Sequence, residues 1–236
     1  MTDTFFSTFI FTMKFAYFPN IKIPEGFNYD RKKYIVRILS KKIEVIILKF
    51  SYDYIKSGNA TCVLELGKDR IEFYPTFHSD ALGDFVSYLA SVHPLCKLSW
   101  KEGAFHKING GITWDTGPYL LRWEFKRNFE DLEIKITEWQ NPMIDRRGDS
   151  KVIRKVLEAK CNFNEFVLCV VKELDRVIKQ RGILGYRQEW QGYTFPIDGF
   201  LALKYACLYK KPFEITKKNN GTSLEAELNL LMEKMD

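Results

Sequence analysis

Few residues of this chain have the types and spacing that catalysis requires. Asp115-Thr116-Gly117 matches the triplet that carries the catalytic aspartate of aspartic proteases, in which two carboxylates share one proton. A second triplet of this kind does not occur, so we expect an ordinary turn here. The alternative is an enzyme with a dispersed active site, for which a cleft that gathers His106, Asp115 and Glu189 would be the evidence.

The histidines and cysteines form no recognisable ligand set. The three histidines, His78, His93 and His106, do not match the HExxH spacing of a zinc site. The five cysteines are odd in number, widely spaced and free of CxxC pairs, which argues against a zinc site and against a secreted disulfide framework. We therefore expect no metal, no cofactor, five free thiols and a cytoplasmic location.

Other catalytic signatures are also missing from the sequence. There is no GxSxG motif and no glycine-rich phosphate loop, so we expect a protein that is not an enzyme. The chain has 236 residues, of which 46% are hydrophobic, enough to bury a substantial core. No apolar run approaches the roughly 18 residues that a membrane-spanning helix needs, and we expect no membrane partner.

The net charge of +6 is unevenly distributed along the chain. Residues 1–57 carry a net charge of +5, residues 58–145 of −4, residues 146–221 of +8 and residues 222–236 of −3. Nucleic-acid binders concentrate basic residues on one face, and RRGDSKVIRK (146–155) comes closest to that pattern. We interpret this stretch as a solvated helix start capped by Asp149 or Ser150. A nucleic-acid-associated accessory protein that uses 146–221 stays open as an alternative.

Strands are predicted through most of the first 140 residues. The segments rich in β-branched and aromatic residues are 34–40, 42–55, 60–67 and 70–75. Ser57-Gly58-Asn59 supplies a turn between two of them. One amphipathic helix interrupts this part of the chain, because apolar residues recur at helical spacing between Ser79 and Pro94.

Residues 114–139 contain three of the five tryptophans and predict a β-hairpin. In residues 119–126 large apolar side chains alternate with Arg122, Glu124 and Lys126, the period of a half-buried strand. The return strand places apolar residues opposite them, and its charged residues can pair with those of the first strand. Trp123 therefore falls in the core.

The last 95 residues read mainly as helices. One helix is expected from a cap at Asn164 to a stop at Gly182, followed by an aromatic loop over 185–195 and a second helix that begins at Pro196. A third follows a Ser or Thr cap in 222–236. The sequence thus predicts an α+β class, a mostly antiparallel sheet packed with helices, in a single domain of residues 1–236 whose one candidate subdivision is near Pro142.

The hairpin face opposite Trp123 is the candidate docking surface for a partner protein. Large aromatic residues left in water often mark such surfaces, and the acidic residues of 124–145 suit a basic partner. The residues that we expect to contact the partner are Trp114, Glu124, Glu133, Glu138, Trp139 and Asp145.

Two segments, GILGYRQEWQGYTFPIDGFLALK (182–204) and WDTGPYLLRWEFKR (114–127), carry a resemblance to a known class. They resemble small bacterial proteins that accompany polymorphic toxins, including the immunity proteins of contact-dependent growth inhibition systems. This resemblance implies a cytoplasmic non-enzyme that binds one cognate toxin domain and covers its active site. If that toxin is a nuclease, its cleft should be basic, and the acidic stretch could cover it as a phosphate mimic.

Overall fold

Two antiparallel sheets and four helices form the part of the chain that the structure describes. The structure, a computed structural model, describes residues 47–96, 107–143, 151–213 and 221–235. All of these belong to one compact unit, Val45–Asp236, which is not divided near Pro142. The predicted strand over 34–40 lies outside the described residues. A single domain of 1–236 stays a prediction for the chain as a whole.

The first sheet has three antiparallel strands in the order β1-β2-β3. These are β1 Leu48–Lys56, β2 Asn59–Leu66 and β3 Asp69–Phe73. Ser57 and Gly58 make the predicted turn between β1 and β2, with φ of 50° and 81°. Glycine is needed at the second position because a Cβ there would lie 2.7 Å from a ring carbon of Phe77.

The second sheet has four antiparallel strands in chain order. These are β4 Lys107–Asp115, β5 Tyr119–Asn128, β6 Asp131–Gln140 and β7 Val152–Asn162. The pair β5–β6 is the predicted hairpin, with Trp123 opposite Ile136 in its register. Both side chains are fully buried, which confirms the predicted alternation.

Four helices accompany the sheets within the described residues. They are α1 Ala81–Val92, α2 Phe163–Glu189, α3 Ile197–Tyr209 and α4 Leu224–Met232. Side-chain caps begin three of them, because Asp80, Asn162 and Ser223 each accept a hydrogen bond from a backbone N–H in the first turn. The predicted α+β class is confirmed. Helix α1 lies between the strands of the two sheets, and strand β7 falls in the part of the sequence that was expected to be mainly helical.

The stretch that was predicted to begin a solvated helix belongs partly to a strand. Residues 152–155 open β7, which pairs with β6 along its whole length. Leu157 and Cys161 are buried, while Glu158 and Lys160 are exposed, the period-2 pattern of a strand. The helix prediction was wrong because these residues gain their hydrogen bonds from a strand about 20 residues earlier, which local spacing does not show.

The bounds of α2 also differ from the prediction. Its cap is Asn162, two residues before the predicted Asn164, and its helical turns resume after Gly182. Gly182 has φ of 69° and interrupts the helix there, as a stop residue does. The chain nevertheless stays helical to Glu189, because Tyr186 is fully buried and packs edge-on against Phe195 at 5.4 Å.

Aromatic side chains from both sheets and from α1 meet in one core cluster. Trp114 of β4 and Trp123 of β5 lie 4.9 Å apart between ring centroids. Phe85 of α1 lies 5.6 Å from Trp114 and 5.4 Å from Trp123. Phe73 of β3 lies 5.4 Å from each tryptophan, so the cluster joins the two sheets.

Two buried ionic contacts tie the helices to the sheet and to each other. Glu173 of α2 accepts a hydrogen bond of 2.6 Å from the backbone N–H of Tyr52 in β1. Lys204 of α3 is fully buried and donates at 2.6 Å to Asp175 of α2 and at 2.5 Å to the carbonyl of Glu233. Burial lowers the pKa of Lys204, and the carboxylate of Asp175 opposes that change.

The core position of Trp123 leads to a stability prediction. Trp123→Ala should lower the free energy of unfolding by about 3 kcal/mol or more, because it leaves a large cavity in the aromatic cluster. Trp139→Ala, whose side chain is only partly buried, should cost clearly less. Urea unfolding of the two variants measures the difference, and equal midpoints would show that the packing of β5 is not as described.

The cysteines lead to a prediction about alkylation. All five are free thiols, and burial raises the pKa of Cys96 and Cys161 to about 12 and of Cys207 to about 11. Because the thiolate is the reactive form, iodoacetamide should modify these three slowly in the folded protein. In denaturant without reductant, mass analysis should count five modified residues, whereas a pair that stays unmodified would indicate a disulfide.

Candidate functional site

The sheet face opposite the aromatic core is lined by charged side chains. On β5 this face carries Arg122, Glu124 and Lys126, which alternate with the buried residues of the same strand. We call it the charged face, and its residues are Asn109, Gly111, Thr113, Leu120, Arg122, Glu124, Lys126, Glu133, Lys135, Trp139, Glu158 and Lys160. It spans all four strands of the second sheet.

Charges on the charged face alternate in sign across the strands. The register sets two neighbouring rows, one of Lys126, Glu133 and Lys160 and one of Glu124, Lys135 and Glu158. Lys135 lies 3.1 Å from Glu124, and Lys160 forms an ion pair with Glu133. The face is therefore a pattern of paired opposite charges and not a uniformly acidic surface.

Neighbouring bases shift the ionisation of two of the acids. A hydrogen bond from Lys160 and its positive charge hold the pKa of Glu133 below its usual value. Lys155 does the same to Glu158 at 2.7 Å. Both acids therefore stay ionised to lower pH than a free glutamate.

A groove with a volume of about 720 Å³ runs across the charged face. The predicted contact residues Glu124, Glu133 and Trp139 line it together. The guanidinium of Arg122 lies 5.9 Å from the centroid of the Trp139 ring, within range of a cation–π contact. The indole N–H of Trp139 is buried and has no hydrogen-bond partner among the described residues, so the ring meets the groove through its carbon atoms.

The structure corrects two of the predicted contact residues and does not describe a third. Trp114 is fully buried, because it follows the alternation of β4 and not the turn that comes after it. Glu138 aligns with buried Leu121 and has an 11% exposed side chain, which pairs at 2.5 Å with Arg154. Trp114 and Glu138 are therefore not part of the charged face. Asp145 lies outside the described residues.

Several residues of the charged face were not anticipated as contact residues. Arg122, Lys126 and Lys135 were expected to be exposed and paired across the hairpin. The structure adds that all three line the groove. Glu158 and Lys160 were missed because the stretch before them was interpreted as the start of a solvated helix. Their alternation with Leu157 and Cys161 is the sequence pattern that could have indicated a strand.

Asp115 serves the turn that the sequence predicted. One carboxylate oxygen accepts hydrogen bonds from Gly117 N at 2.7 Å and from the Thr76 hydroxyl at 2.9 Å. The other accepts from the Asn141 amide at 2.9 Å. Glu189 contacts Arg181 at 3.0 Å, and His106 lies outside the described residues. The carboxylate of Asp115 thus stabilises a loop, while that of Glu189 pairs with Arg181.

Many basic side chains of the region 146–221 are engaged by acids. Arg176 pairs with Glu173 and with Asp53, both at 2.6 Å. Lys179 and Lys204 share the carboxylate of Asp175. These bases lie on α2 and α3, with further paired bases on β7. Their charges are locally compensated and do not form one continuous basic stripe in the described chain.

The described part of the chain was searched for clusters of metal-ligating side chains and for helices that could span a membrane. Over residues 47–96, 107–143, 151–213 and 221–235, no group of three or more His, Cys, Asp or Glu side chains is placed to hold a metal ion. No helix within those ranges is long and apolar enough to cross a membrane.

Comparisons with known proteins give no match. Neither the models of protein families, nor the curated proteins, nor the solved structures contain one that matches this chain.

The ion pair between Glu133 and Lys160 leads to a prediction about pKa. Lys160→Gln should raise the pKa of Glu133 toward that of an ordinary glutamate, because the stabilising charge is removed. Carboxyl-carbon NMR titration measures this change. Lys172→Gln on α2 is the control with the same loss of charge, and it should leave the Glu133 titration where it is. A Glu133 pKa that does not respond to Lys160→Gln would contradict the pairing.

Proposed function

We propose that this protein is an immunity protein that binds and neutralises a cognate toxin domain through its charged face. The observation that carries the proposal is the groove, in which Glu124, Glu133 and Trp139 come together on an open sheet face. Protein-binding surfaces typically combine an aromatic anchor with charges that orient the partner. The resemblance of 114–127 and 182–204 to toxin-associated proteins supports the same function.

The order of the charges supports a particular kind of partner surface. Among the charged residues that line the groove, three are acidic and three are basic, so the net charge there is close to zero. A uniformly basic toxin cleft would be attracted by the three acids and repelled by the three neighbouring bases, so the two electrostatic contributions would largely cancel. The partner should instead present an acid opposite each base of the charged face and a base opposite each acid. Such a pattern would fix both the position of the partner on the sheet and its orientation as it binds.

Trp139 gives this surface its anchor. Its ring lines the groove, while its partner in register, Leu120, lines the same groove from β5. A toxin side chain that covers this apolar wall would remove it from water. Burial of an aromatic ring at the centre of a contact is a common feature of interface hot spots.

A charge swap tests the proposal while it preserves net charge. In Glu124→Lys with Lys135→Glu, the ion pair is retained and its direction is reversed, so the fold should lose no more than about 1 kcal/mol. The charge order that the partner meets is inverted at the centre of the face. We expect binding to weaken by about tenfold or more, because two attractive contacts become repulsive.

The first sheet offers a matched control for this swap. Glu65→Arg with Arg70→Glu exchanges an exposed ion pair of 3.3 Å on β2 and β3, and it lies outside the groove. Each variant is tested for capture of the protein domain that the neighbouring open reading frame encodes and for protection of cells that express that domain. The proposal predicts loss with the first swap only. Equal protection by both variants, or failure of the unmodified protein to protect, would overturn it.

A further inference from the structure

A second cavity lies where four elements of the described chain meet. Its volume is about 400 Å³, and its lining residues come from the segment after α1, the end of β5 with the turn that follows it, the start of α2 and the end of α3. None of them lines the groove of the charged face. Apolar walls surround a few nitrogen-bearing side chains, a composition typical of small-molecule sites of this size.

Arg127 is the buried cation of this cavity. Its residue is 7% exposed, and its guanidinium donates to the carbonyl oxygens of Phe129 at 2.7 Å and Val92 at 2.9 Å. The guanidinium carbon lies 3.9 Å from the centroid of the Phe163 ring, so the planar group is held in place. Within the described residues no carboxylate lies within ion-pair distance, and the second terminal nitrogen has no hydrogen-bond partner.

Lys210 and His93 add two more groups that favour an anion. Lys210 ends α3 with φ of 54°, lines the cavity and forms no ion pair with any described residue. Nδ1 of His93 accepts a hydrogen bond from Leu95 N at 3.2 Å, so the neutral ring carries its proton on Nε2 and can donate it. Burial and the charges of Arg127 and Lys210 lower the pKa of His93 to about 4.

One acid also lines the cavity. Glu130 lies beside Arg127 and accepts a hydrogen bond from the Asn162 amide at 3.5 Å. Arg127 and Lys210 still leave an excess of one positive charge among the lining side chains. That balance suits a ligand with a single negative charge better than a dianion.

We propose that this cavity binds a small carboxylate that carries an apolar group. The terminal nitrogen of Arg127 that does not bond a carbonyl can donate to a carboxylate oxygen, and Lys210 and His93 supply further donors. Leu95, Phe129 and Ala206 provide apolar wall for the rest of the ligand. Inorganic phosphate has the charge but lacks the apolar part, which would leave most of the cavity volume unfilled.

Ligand titration of the unmodified full-length chain tests this assignment. Phenylacetate should shift the NMR resonances of the His93 ring and raise the thermal unfolding midpoint, because it binds only the folded state. The neutral analogue 2-phenylethanol should bind at least about tenfold more weakly, since it lacks the charge that Arg127 recognises. Equal binding of the two compounds would overturn the proposal. Inorganic phosphate that binds as tightly as phenylacetate would overturn the role of the apolar walls.

Two neighbouring lysines provide a matched pair of variants. Lys210→Asn removes one charge from the cavity, and asparagine tolerates the left-handed backbone of this position. Lys211→Asn removes the same charge one residue further along, outside the cavity lining. Phenylacetate should bind about tenfold more weakly to the first variant and unchanged to the second. Equal affinity of the two variants would refute the role of Lys210 and the proposed site with it.

Discussion

The contact between Trp114 and Trp123 is the interaction on which the rest of the structure depends. Their ring centroids lie 4.9 Å apart, with both side chains fully buried. Phe73 brings the first sheet to this pair, and Phe85 brings helix α1. Because so much aromatic area leaves water at one place, the inner faces of both sheets must point toward it. The outer side of β5 and β6 is thereby left for charged residues, which is how the core creates the charged face.

Buried ionic contacts add specificity to this aromatic core. Glu173 bonds the backbone of β1, which is an edge strand among the described strands of the first sheet, and so occupies a donor that another chain could otherwise pair with. Lys204 joins α2, α3 and the carbonyls that end α4 through a single ammonium group. Each contact satisfies a charge that would be costly to bury alone, and each is lost if the helices shift. The helices are consequently fixed against the sheet by polar as well as apolar contacts.

The two candidate sites use charge in different ways. On the charged face, acids and bases are paired within the sheet, so a partner protein meets a fixed pattern with little net charge. In the second cavity, Arg127 is buried against carbonyl groups and an aromatic ring, without a carboxylate in ion-pair distance among the described residues. The first arrangement suits recognition of a patterned surface, and the second suits capture of a single negative charge. Helix α1 and the turn after β5 connect the cavity to the same aromatic core.

The sequence by itself determined the elements whose signals are local. Alternation placed Trp123 in the core and Glu124 outside it, helical spacing gave α1, and Ser57-Gly58 gave a turn. Only the tertiary structure decided which long-range partners complete the sheet. Strand β7 forms because β6 supplies its hydrogen bonds. Trp114 is buried because β4 pairs with β5. The sequence pattern did not reveal β4, since Gly110 and Gly111 have no side chains that could alternate between apolar and polar. The charged rows, the groove and the arginine cavity arise from these pairings. They join residues distant in the sequence, whose proximity depends on the packing of the whole core.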